Sequence, residues 1–254
     1  MTTDTTLSHY RRFVRDWLRL EAWYAWHLVQ HAGLAADEVL EGRIYLFRRA
    51  YAREEGGWEA WKAECACRLA ALDGTDTVAF EQWLLAEEAP WLARYLAMHF
   101  AAEYRAPLNT PYAGFSFDYT PEYRAGEAGE VCLTLHFRNA FTPESPFQHA
   151  DALRDALQRL VARSRIERPE VIRVQCGSWL NSLSPFQALF PANWHRTATP
   201  GAPGAHLGWW GQFMDRTGAF HARHGAYLRQ TGEFPYRHLL CSCLLNELQT
   251  HLST

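Results

Sequence analysis

Apolar residues recur every third or fourth position through the first hundred residues, which is the period of an amphipathic helix. Leu7, Tyr10, Phe13, Val14, Trp17, Leu18, Leu20, Trp23, Tyr24, His27 and Leu28 make one such stripe over residues 7–31, with Gly33 as its stop. Asp37 and Glu38 open a second pattern that runs to Tyr51 and halts at Gly56-Gly57. A third covers Trp58 to Leu72 and ends in the turn Asp73-Gly74. Thr77 suits the cap of a fourth, reaching Glu88, and Pro90 permits a fifth that runs to Tyr104. Residues 1–106 therefore read as a helical N-terminal domain.

The period changes at Pro107. Pro107, Asn109, Pro111 and Gly114 punctuate a loop, and Phe115 to Tyr119 alternates as a strand does. Val131 to Phe137 is the clearest strand, with Val131, Leu133, Leu135 and Phe137 on one face. A helix is predicted from Gln148 to Arg165 and a further strand from Val171 to Cys176. Strand, long helix, strand is a βαβ unit, so these two strands are expected to be parallel neighbours. Beyond Trp179 the pattern predicts a short helix at Pro185–Leu189, a helix over Met214–Arg229 and a last helix over Pro235–His251. The fold class is α/β (α+β): a helical segment, then an α/β domain over 107–254 with a small mixed sheet and flanking helices.

Composition narrows the function. A chain of 254 residues, 48% of them hydrophobic, can bury one large or two modest cores. Net charge is −3 and no run of Lys or Arg exists, so no nucleic-acid partner is expected. No stretch approaches 18 apolar residues and Met1 to Arg12 is polar, so neither membrane insertion nor a signal peptide is expected. That points to the cytoplasm, where cysteines 65, 67, 132, 176, 241 and 243 would stay reduced.

Candidate chemistry gathers where the two parallel strands end, the edge at which open α/β sheets bind ligands. His136, Arg138 and Asn139 follow from one strand, and Cys176, Ser178, Trp179 and Asn181 from the next. Ser178 and Asn181 equally suit capping of the following helix. The segment Gly208-Trp209-Trp210-Gly211-Gln212 places Trp209 and Trp210 in a tight turn, as core filler or as a cleft wall, with Gln212 able to orient a polar substrate.

Leu135-His136 at a strand end, the long helix, and Cys176-x-Ser178-Trp179-Leu180 before a short helix resemble a group of bacterial acyltransferases that join a helical N-terminal domain to a GNAT-like C-terminal domain. The resemblance covers most of the chain in outline. The family's Leu-Leu-Asp-Pro after the Trp reads Leu180-Asn181-Ser182-Leu183 here, and residues 138–147 carry no Gly-rich pyrophosphate loop. It implies transfer of an acyl group from a coenzyme A thioester, as co-substrate, to a small amine or hydroxyl. His136 would be the base, the ordinary histidine pKa of about 6.5 suiting neutral pH. Ser178, or a backbone N–H beyond Cys176, would serve the oxyanion or the leaving thiolate. Arg138, Asn139, Trp179, Asn181, Trp209, Trp210 and Gln212 would bind substrate. A covalent variant makes Cys176 the nucleophile and His136 its base.

Two other readings stand beside this one. Glu21, His27, Glu81 and His99 could furnish a helical dimetal oxidase, although no Glu-x-x-His pair is present and no metal is expected. The Trp-rich surface could instead bind another chain without catalysis, and a homodimer is one form open to either kind of protein.

Overall fold

The computed structural model describes residues 3–46, 57–72, 77–84, 86, 111–123, 129–201 and 204–254. The chain divides into two compact units, Met1–Ala106 with Pro203–Pro235, and Pro107–Ala202 with Tyr236–Thr254. Residues 203–235 thus group with the helical unit, whereas the sequence pattern assigned them to the α/β part. The architecture is mixed α and β, with one five-stranded sheet.

The first unit contains α1 (Thr3–Gln30), α2 (Ala36–Gly42), α3 (Gly57–Ala71) and helical residues 77–84. The predicted helix from Pro90 to Tyr104 lies outside the described residues. The stripe read from α1 is its buried face: Tyr10, Phe13, Val14, Trp17 and Leu18 are each 5% exposed or less. The later segment contributes α4 (Leu207–Trp210), a 3-10 turn at Gly211–Phe213 and α5 (Ala222–Thr231), and its Trp210, Phe213 and Leu228 complete the same core. No helix spans Met214–Arg229 as a whole. Met214 bridges Phe220 instead, around a turn in which Asp215 Oδ1 accepts from Thr217 N and Ala219 N while Gly218 sits at φ +82°.

The second unit is a sheet with helices on one face. Its strands are β1 (Phe115–Pro121), β2 (Val131–Phe137), β3 (Arg173–Ser178), β4 (Thr199–Pro200) and β5 (Leu239–Leu244). They lie in the order β1-β2-β3-β5-β4, and only β2 with β3 is parallel. The crossover helix α6 (Ala150–Glu167) and the terminal α7 (Leu245–Leu252) bury Leu153, Leu157, Leu160, Leu248 and Leu252 against Leu133, Leu135, Val174, Cys176, Cys241 and Cys243. β5 replaces the first part of the helix that the sequence predicted over Pro235–His251. Leu-Leu-Cys-Ser-Cys-Leu is a short, nearly continuous apolar run in the sheet interior, and such a run carries no alternation to distinguish strand from helix.

The face away from the helices is polar. Gln175 is 1% exposed; its Nε2 donates to Thr134 Oγ1 (2.9 Å) and Pro121 O (3.1 Å), and its Oε1 accepts from Tyr123 N (3.2 Å). Every polar end of that amide is occupied, which makes a buried polar strand residue tolerable.

Candidate active site

The parallel ladder is short. β2 and β3 pair only at Leu133↔Val174 and Thr134↔Gln175, although both strands run on, to Phe137 and Ser178. Two bonds outside the ladder fix which backbone groups face the opening. Arg138 N donates to Gly114 O (2.9 Å), so even-numbered β2 residues direct their peptides at β1 and odd-numbered ones at β3. Gly201 N donates to His238 O (3.0 Å), so β5 turns its odd-numbered peptides to β3, whose own Val174, Cys176 and Ser178 turn to β5. Past the ladder, Leu135 C=O, Phe137 N–H and the Gly177 peptide therefore point into the space between the strands, at their carboxyl ends.

His136 stands beside this opening on the polar face. Its Nε2 lies 3.1 Å from Asp118 Oδ2, with both side chains about half exposed. Asp118 is opposite Thr134 in the β1–β2 register and so is the diagonal, same-face neighbour of His136. With Nε2–H donated to the carboxylate, Nδ1 is left to accept a proton. Asp118 escaped the sequence reading, although its signal was legible: it shares one parity of the strand with Ser116 while the aromatic residues take the other.

The other two members of the expected catalytic set lie elsewhere. Cys176 alternates onto the helix-packed face, opposite His136, and is 2% exposed. Burial pushes its thiol up to about 12, with Cys241 adding to the effect, so no thiolate forms at neutral pH and His136 does not reach it. Ser178 also alternates away from His136. Its Oγ accepts from Leu180 N (3.1 Å), the capping role. Sequence reasoning joined the three residues because they end neighbouring strands. It could not weigh the side-chain parity between strands whose register was unknown.

The expected binding residues disperse as well. Asn139 staples its own loop, donating to Glu144 O (2.9 Å) and accepting from Phe141 N (2.9 Å). Asn181 is fully buried; its Nδ2 donates to Cys176 O and Leu239 O (2.8 Å each) and its Oδ1 accepts from Trp194 Nε1 (3.0 Å). Trp179 stacks on Tyr236 at 5.5 Å, and Arg138 is exposed at the end of β2. Trp210 and Gln212 are fully buried in the first unit, where Trp210 Nε1 donates to Arg43 O (2.8 Å) and Gln212 Nε2 to Trp209 O (2.9 Å). Trp209 packs against Phe234 in the same core. These indoles build a hydrophobic interior.

The dimetal arrangement loses its ligands to other partners. Glu21 is fully buried and accepts from Trp17 Nε1 (2.8 Å), Tyr45 N (3.0 Å) and Leu46 N (2.8 Å). Glu81 pairs with Arg229 at 2.6 Å, and His99 lies outside the described residues. Among the described residues no group of three His, Cys, Asp or Glu could hold a metal ion.

No family model, curated protein or solved structure matches this chain.

A second histidine, which the sequence pattern did not bring to this edge, is His238. It is 7% exposed, and a Cβ placed on Gly177 would sit 3.2 Å from its Cε1 and Nε2. On the other side, a Cβ on Gly201 would collide with its Nδ1. A glycine inside a strand marks a close approach, and Gly177 was the available signal.

Proposed function

We propose that this chain is an acyltransferase that moves an acyl group from a thioester donor to a small amine or hydroxyl acceptor. The single observation that carries the reading is the truncated β2–β3 ladder beside the His136–Asp118 pair. An extended amide-bearing arm can enter the opening and hydrogen-bond with Leu135 C=O and Phe137 N–H as a short strand would. Its thioester carbonyl then lies by the Gly177 N–H, a preset donor for the oxyanion that forms on attack. His136, held by Asp118, takes the proton from the attacking amine or hydroxyl.

The donor is defined by the arm more than by its far end. The arm of coenzyme A suits the opening, but its pyrophosphate meets a poor partner. No Gly-rich loop precedes α6, whose first turn carries Asp151 and is flanked by the Glu144 carboxylate, so the helix dipole is already opposed by negative charge. Arg138 is the one nearby cation that the sequence reading offered. We therefore take the donor class to be acyl thioesters of a pantetheine-like arm. A cytoplasmic setting, which would keep the six cysteines reduced, belongs to the same proposal; among the described residues no helix is long and apolar enough to cross a membrane.

Thiol release from acetyl- and octanoyl-pantetheine, and from the matching coenzyme A thioesters, measured with a panel of primary amines and alcohols, tests the proposal. The pantetheine esters are expected to react within about tenfold of the coenzyme A esters, because the pyrophosphate adds little. His136→Ala should lower kcat by about 10²-fold or more, the usual loss of a general base. Acceptor-dependent thiol release from none of these donors would overturn the reading, and a folded His136→Ala variant at full rate would remove the base.

A further inference from the structure

His238 occupies a slot whose floor is the peptide that faces the opening. Gly177 stands at the register position level with His136, since Thr134↔Gln175 continues to 136 and 177. Gln175 and Gly177 share the polar face with Thr134 and His136, and the His238 ring lies over Gly177 on that same face. The imidazole edge above Gly177 bears Nε2, while Nδ1 is turned to Gly201. His136 on β2 and His238 at the start of β5 therefore flank the Gly177 peptide from opposite sides. Their backbones are two strand spacings apart across the sheet, about 10 Å, and His238 is displaced two residues along β5 from Leu240, the partner of Gly177, about 7 Å. The His136 ring is turned toward Asp118 on β1 and the His238 ring lies over Gly177, so the peptide proposed to meet the donor carbonyl has His238 directly above it and His136 on the next strand.

Resting on the acyltransferase reading above, we propose that His238 is a catalytic residue of the same reaction: as the imidazolium it protonates the departing sulfur. The step balances. The acceptor nitrogen or oxygen bonds to the thioester carbon and passes its proton to His136. The carbon–sulfur bond breaks with its electron pair on sulfur, and His238 Nε2–H supplies the proton that makes the free thiol. Solvent exchange returns the two rings to their starting states, so the proton lost by the acceptor is balanced by the one gained by sulfur. Placement explains the two glycines. A side chain at Gly201 would drive the ring out of the slot, and one at Gly177 would lift it from the peptide that the donor touches.

The test compares leaving groups. With octanoyl-pantetheine, a thiol that leaves poorly unless protonated, His238→Gln is expected to lower kcat by about 10²-fold with KM within threefold. With an octanoyl thioester of an aromatic thiol that carries the same amide arm, whose thiolate leaves without help, the same variant should recover to within about fivefold of wild type, whereas His136→Gln should not recover. Gly201→Ala, which displaces the ring without removing it, should show the same leaving-group dependence and so serves if His238→Gln does not fold. Loss of rate that is equal for both leaving groups, or no loss at all, overturns the role of His238 and leaves the acyltransferase reading standing. A wild-type protein that releases no thiol from either ester overturns both.

Discussion

At the scale of single residues, parity along a strand decides which groups can act. Cys176 and His136 end adjacent strands, yet alternation sends one into the core and the other to the polar face. The same burial sorts the six thiols by reactivity. Burial lifts Cys176 and Cys243 to about 12 and Cys132 to about 11, while Cys67 is exposed on α3. A brief iodoacetamide pulse on the native protein at pH 7.5, read by peptide mass spectrometry, is expected to label Cys67 at least tenfold faster than Cys176. Comparable labelling of Cys176 would contradict its placement and reopen the covalent route.

At the scale of elements, the β2–α6–β3 crossover was the most legible part of the chain. Its alternating strands and amphipathic helix appear within a few residues of where the pattern put them. The interior strand β5 was not legible, because a run buried in mid-sheet shows no polar face. Nor was the role of Asn181, whose three side-chain bonds join β3, β5 and Trp194, residues far apart in sequence. The residue type was noticed but its partners were invisible. Asn181→Ala leaves two carbonyls and a buried indole N–H without partners and is expected to cost about 3 kcal/mol in urea unfolding. Asn181→Asp should cost at least as much, since it sets a carboxylate oxygen against two carbonyls. A shift under about 0.5 kcal/mol for the alanine variant would show that the contact is not a structural tie. The candidate site was expected at this edge, with His136, but the neighbours that the fold gives it were not. Asp118 comes beside His136 through register and His238 comes over Gly177 through a glycine slot, both products of tertiary pairing.

At the scale of the whole molecule, acid should weaken the helical unit. His27, His206 and His224 all belong to it, and in each burial is the main cause that lowers the imidazole below its ordinary 6.5. The neighbouring His31 adds to the effect at His27, while the bond to Gln212 O opposes it at His224. A lowered folded-state value means that the unfolded chain binds protons first as pH drops. The stabilisation is complete above about 6.5 and declines below it. Urea unfolding followed by Trp fluorescence should show a lower midpoint at pH 5.5 than at 7.5. His224→Gln should flatten that dependence by removing one titrating ring. Equal midpoints at the two pH values would contradict the burial of these rings.

The interleaving of the two units has a consequence for how the protein can be made. Trp210 stacks on Trp17 at 6.3 Å and meets Tyr24 at 5.7 Å, so the first hundred residues emerge from the ribosome well before the indole that fills their interior. Until residue 235 is translated, α1 carries an unfilled apolar stripe into the cell, and a nascent chain in that state is a natural client for a chaperone. Neither unit corresponds to one uninterrupted stretch of message. An expression boundary drawn at residue 106 would therefore yield a fragment with a hole where Trp210, Phe213 and Leu228 belong.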